Sequence, residues 1–70
     1  MSEWPSMKAR RVLAALVRIG WMVKREASSH KVLARDGWSD TVFAFHGGEE
    51  LGPRILARLA KRTGLRPEDL

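Results

Sequence analysis

Residues 27–37 read ASSHKVLARDG and set His30 behind two serines at the mouth of a short apolar run. Histidine is the side chain that gains and loses a proton near neutral pH, so it serves as a general acid or a general base. RNA is a substrate that needs such a group. Its own 2′-hydroxyl is a built-in nucleophile, and cleavage requires one group to take that proton and one to protonate the leaving 5′-oxygen. Ser28 and Ser29 offer hydroxyls or backbone amides to a phosphate. Lys24, Arg25, Lys31 and Arg35 flank the same stretch. Cations there stabilise charge developing on phosphorus or hold neighbouring phosphates. Lys31 is the foremost of them because it adjoins His30. His46 is a possible second acid–base group. Each has a plainer reading. A histidine in a polar loop is by itself most often a solvated surface residue, and His46 beside Gly47 reads as a loop residue closing a strand. Lysines on a sheet edge also discourage aggregation.

The elements that must position these residues follow from local pattern. Residues 7–19 have helical periodicity, with Ser6 as the expected N-cap. Val12, Leu13, Leu16, Val17 and Ile19 share one arc, and Lys8, Arg11 and Arg18 lie opposite. Gly20 supplies the stop. Residues 21–26 alternate as a strand should, Trp21 and Val23 on one face and Lys24 and Glu26 on the other. Residues 30–35 and 41–45 form two more strands, joined through Asp36-Gly37 by a loop longer than two residues because Ser39 and Asp40 also favour turns. These two strands are apolar on both faces in part, so periodicity does not say which face is core.

HGGEEL reads as a loop. Gly52 then caps a helix over 53–63 with Pro53 as its first residue, and Leu51 and Leu56 have the spacing of a hydrophobic staple. Ile55, Leu56, Leu59 and Ala60 form its buried side, and Arg54, Arg58, Lys61 and Arg62 gather opposite. Gly64 ends it, and LRPEDL begins one more turn. Helix, three strands, helix is the order of a two-layer α+β sandwich in one domain, both helices on one face of an antiparallel sheet. The other face is left open to a ligand. The aromatic residues Trp21, Trp38, Phe43 and Phe45 could stack on bases, but in so small a core they read first as structural, with Trp38 at a hairpin tip the exception.

Composition narrows the partners. Seventy residues bury only about 60% of their unfolded surface, and with no cysteine there is no disulfide to compensate. The two histidines make no zinc site of ordinary ligand count without carboxylates. No apolar run approaches the ~20 residues of a membrane span, and MSEWPSMKARR lacks a signal peptide's apolar core. A cytoplasmic protein with no membrane, metal or small-molecule cofactor is expected. Thirteen basic residues against eight acidic ones give a net charge of +5. Such a field attracts polyanions, nucleic acid above all.

Three stretches together resemble the HicA (YcfA-like) toxins of prokaryotic toxin–antitoxin systems, over about residues 4–66. WPSMKARRVLAALVRIGW is similar to the family's first helix, with a lysine near its start and a Gly-aromatic pair at its end. SSHK is similar to the family's Gly-Ser-His-His or Gly-Ser-His-x. HGGEELGPRILARLAKRTGL is similar to the family's ending, with His-x-x-x-Glu-Leu, a proline and a leucine-rich helix. Ser28 stands where glycine is usual, Lys31 where a second histidine is common, and Ala44 where a late proline is often found. The resemblance implies a fold like a double-stranded-RNA-binding domain. It also implies an mRNA-cleaving toxin silenced by a HicB-type antitoxin, with the functional histidine at His30. Two alternatives stay open: a non-catalytic RNA-binding module of the same fold, and a degenerate toxin retained as an antitoxin's partner.

Overall fold

The computed structural model describes residues 3–28 and 30–70. Its elements run β1 (Met7–Lys8), α1 (Ala9–Arg18), β2 (Met22–Ala27), β3 (His30–Ala34), β4 (Thr41–Phe43), β5 (Glu50–Leu51) and α2 (Pro53–Thr63), with a closing 3-10 turn at Pro67–Asp69. Strands β2, β3 and β4 form an antiparallel sheet in that order, and β1 pairs with β5 in a separate two-stranded ladder. Both helices contribute to one core, which is the expected α+β arrangement. Ala9, Val12, Ala15 and Leu16 of α1 meet Leu56 and Leu59 of α2 and Leu33 and Phe43 of the sheet, with Trp21, Leu51 and Leu65 between them.

Helix α1 is shorter than its periodicity predicts, and Ser6 is not its cap. The chain before it is extended. Met7 and Lys8 pair with Leu51 and Glu50, and Lys8 occupies the cap position without a side-chain bond. The first helical amides find partners far away in sequence. Ala9 N–H donates to the Glu49 carbonyl (2.8 Å) and Arg10 N–H to that of Gly47 (3.1 Å). Lys8 Nζ donates to the Gly48 carbonyl at 3.1 Å and lies 3.7 Å from Glu50. A loop backbone has replaced the side-chain cap, and that requirement turns the end of HGGEEL into a strand. The buried stripe of α1 also differs from the predicted arc. It takes in Ala9 and Ala15, whose small side chains suit close packing, and it leaves Val17 51% exposed.

The helix stops as expected at Gly20, whose φ is 114°. Gly20 N–H donates to the Val17 carbonyl (3.1 Å) and Trp21 N–H to that of Leu16 (3.0 Å). This pair of bonds is a Schellman motif, completed by the apolar neighbours Trp21 and Leu16, both buried. Strand β2 starts one residue late, β3 ends at Ala34, and β4 ends at Phe43 rather than at Phe45. Phe45 instead packs edge-on against Phe43, ring centroids 5.1 Å apart.

Leu33, Thr41 and Phe43 are buried and Val42 is exposed, which identifies the helix-covered face. Strand β2 does not alternate as predicted. Its register shifts between Val23 and Arg25, so Val23 faces Leu33, Arg25 faces Val32 and Glu26 faces Lys31. Lys24 is the extra residue of a β-bulge. Glu26 therefore falls on the side of Val23, not on that of Lys24.

Helix α2 has its predicted bounds, with Gly52 as cap, Pro53 first, and Leu51 and Leu56 both buried. Its end is tied to two distant tryptophans. The Trp21 indole Nε1–H donates to the Thr63 carbonyl oxygen (3.0 Å), and the Thr63 hydroxyl donates to that of Leu59 (2.7 Å). Trp38, in the β3–β4 loop, meets Trp21 edge-on at 5.9 Å and lies over Gly64. Gly64 has φ 74°, and a Cβ there would sit 2.8 Å from Trp38 Cη2. Gly64→Ala is thus expected to cost at least about 2 kcal/mol, since the left-handed conformation alone costs roughly 1–2. Urea unfolding checks it. In a Trp38→Ala background the cost should fall, because only the backbone component remains.

Candidate functional site

His30 opens β3 opposite Ala27. Strand alternation puts its side chain with Val32 and Ala34, on the face the helices leave uncovered. The imidazole is exposed and has no hydrogen-bonding or ionic partner among the described residues.

The turn before His30 explains one departure from the expected motif. Ser28 has φ 54°, the one described non-glycine residue in the left-handed region. Glycine takes that conformation at no steric cost, which is why a glycine suits this position. Ser29 lies outside the described residues.

The structure separates the cations that the sequence groups around His30. Lys31 follows His30 directly, so alternation turns it to the opposite, helix-covered side. There it faces Phe43 in register and lies 3.5 Å from Glu26. Lys24 stays on the open side. Its Nζ bonds Asp40 at 2.8 Å, and Asp40 immediately precedes β4, two strands away, so the lysine chain crosses β3 over the uncovered face. Arg35 is five residues from His30, about 16 Å along an extended chain. Its guanidinium sits 5.4 Å from the Trp38 ring centroid, and it packs against Gly20. This is a cation–π contact at the far end of the sheet. His46 belongs to the turn that caps α1. Its amide donates to Glu49 Oε1 (3.3 Å) and its carbonyl accepts from the Glu49 amide (2.9 Å).

One cation that sequence reasoning placed in the neighbourhood, but not at its centre, does reach His30's face. Arg25 faces Val32, is exposed and makes no ion pair among the described residues. Regular alternation hides this, because the bulge that turns Arg25 outward has no glycine or proline to announce it.

Arg54, Arg58, Lys61 and Arg62 are exposed along α2, as expected. Arg58 and Arg62 border a groove of about 300 Å³ floored by Val42, Phe45, Ile55 and Leu59. Among the described residues, no three His, Cys, Asp or Glu side chains gather as a metal site would need. No described helix is long and apolar enough to cross a membrane.

The family model for the HicA toxin of bacterial toxin–antitoxin matches residues 9–65, from the first residue of α1 to just past Gly64. None of the curated proteins compared with the chain matches it.

The Ser28 backbone gives a stability test. Ser28→Gly removes a left-handed cost of roughly 1–2 kcal/mol and adds back about 0.5–1 kcal/mol of chain entropy. A net gain of up to about 1 kcal/mol in urea unfolding is expected. A loss of stability would show that the serine is favoured in this turn.

Proposed function

The chain belongs to the HicA toxin family and is the toxin of a toxin–antitoxin system, and from that premise we propose that it is an endoribonuclease that cleaves mRNA in the cytoplasm without a metal, using His30. The observation that supports this most is the placement of His30. A solvent-facing imidazole, without a partner among the described residues, stands at the edge of the sheet face turned away from the helices.

The chemistry is a transesterification. The 2′-oxygen attacks the adjacent phosphorus, the bond from phosphorus to the 5′-oxygen breaks, and a 2′,3′-cyclic phosphate and a 5′-hydroxyl result. One proton leaves the 2′-oxygen and one reaches the 5′-oxygen. His30 performs one of these transfers. Lys31 points to the other face and His46 belongs to the α1 capping turn, so solvent water is the simplest source of the second. The surplus of cations holds the flanking phosphates, most simply through those left unpaired on α2. A HicB-type antitoxin silences this site by covering His30 and meeting the basic surface with carboxylates, since like charges cannot be brought against it cheaply.

A second reading has one observation in its favour. No described side chain orients the imidazole, whereas many catalytic bases are held by a third group. A module that binds RNA without cutting it, or a degenerate toxin retained as an antitoxin's partner, would look the same. His30→Ala separates these readings. The variant is expected to fold, because an exposed position at a strand end has no packing to lose. Its cleavage of RNA should fall by about 10²–10⁴-fold while RNA binding persists. Cleavage by the parent chain should survive a chelating agent. Parental rates in the variant would contradict the role of His30, and loss of activity on chelation would contradict a metal-free reaction.

A further inference from the structure

We infer that Arg25 is the side chain that grips the scissile phosphate beside His30, and that the bulge at Lys24 exists in this fold to deliver it there. The inference rests on the RNA-cleavage reading and adds to it the residue that holds the substrate's reacting group.

Parity decides which face of the strand Arg25 takes. In a regular strand, residues two apart share a face, so Arg25 would lie with Val23 on the helix-covered side. The observed register breaks that rule. Val23 faces Leu33, a buried residue, and Arg25 faces Val32 on the opposite side of β3. A one-residue shift moves every later side chain to the other face, and bulges re-aim side chains in this way. From Arg25 onward, β2 is inverted. Ala27 lands opposite His30, and Arg25 becomes the diagonal neighbour of His30 on one face. Diagonal positions in antiparallel pairs lie about 7–8 Å apart. That leaves room for a phosphate group between a guanidinium and an imidazole.

The other charges support the same assignment. Asp40 is taken by Lys24 at 2.8 Å. Glu26 is turned to the other side, where it meets Lys31 at 3.5 Å. Arg35 is occupied on Trp38 at the far end of β3. Among the described residues, Arg25 is left without a countercharge on the face of His30. Guanidinium chemistry fits the task. Its planar fork donates two parallel hydrogen bonds to phosphate oxygens, and its charge is permanent. As negative charge builds on the non-bridging oxygens during attack, those bonds strengthen, which lowers the barrier rather than merely holding substrate.

The test uses the full chain and a single-stranded RNA that the parent cleaves. Arg25→Ala, Lys31→Ala and Arg35→Ala each remove one positive charge, so differences between them report position and not field. Arg25→Ala should lose about 10²-fold in kcat with its melting temperature unchanged. Lys31→Ala and Arg35→Ala should stay within a few-fold of the parent. Arg25→Lys should recover only part of the loss, because an ammonium does not make the two-point contact, and Arg25→Gln should recover none. If Arg25→Ala misfolds, the Lys and Gln variants carry the comparison. His30→Ala separates the two claims. Where the parent cleaves, His30→Ala does not, and Arg25→Ala is as active as Lys31→Ala, the Arg25 assignment is overturned and the His30 reading stands. A folded parent that cleaves no RNA overturns both.

Discussion

Trp21 joins the separate pieces of this small chain. Its backbone N–H closes α1 on the Leu16 carbonyl. Its indole N–H holds the Thr63 carbonyl at the end of α2. Its ring takes the edge of Trp38 from the β3–β4 loop, and Trp38 in turn covers Gly64 and carries Arg35 on its face. Both helix ends and one hairpin are thereby set relative to the residue just before β2. A chain this short has little core to spend on redundancy, and the indole is nearly fully buried with its polar atom satisfied. His30 lies at the opposite end of the sheet from this corner.

That arrangement divides the charged residues by role. Arg35 stands at the tryptophan corner and works as part of it. Lys31 and Glu26 pair at the rim of the helix-covered side, where the lysine stem lies opposite Phe43. Lys24 spans the open face to Asp40. These contacts are exposed or half-exposed and contribute little stability each. They cancel locally, and among the described residues they leave without a carboxylate partner Arg25, the cations on the outer side of α2, and also Arg10, Arg11, Arg18 and Arg35.

Legibility in the sequence followed how local the cause was. Gly52, Pro53 and Gly64 bound α2 through their own backbone preferences, so both ends were readable, as was the Gly20 stop. The start of α1 was not readable, because its first amides are satisfied by the carbonyls of Gly47 and Glu49, nearly forty residues later. Nor was the strand hidden in HGGEEL, which exists to hold that cap. His30 was visible as a candidate through its residue type and its neighbours. Its surroundings were not, since adjacency in sequence suggested Lys31 whereas alternation sends that side chain to the other face. Arg25 was hidden by a bulge formed from ordinary residues. Ser28 was noticeable only as a departure from glycine, and its φ of 54° gives the departure a physical meaning.

In the proposed reaction His30 moves protons while the nucleophile is the RNA's own 2′-oxygen. The most direct measurement is cleavage of a substrate with a single 2′-deoxy nucleotide at the position the protein cuts in the all-ribose strand. This bond is expected to be spared while binding persists, and the all-ribose strand to yield fragments beginning with a 5′-hydroxyl. Cleavage at the deoxy position, or fragments beginning with a 5′-phosphate, would mean that water attacks phosphorus directly and would contradict the account.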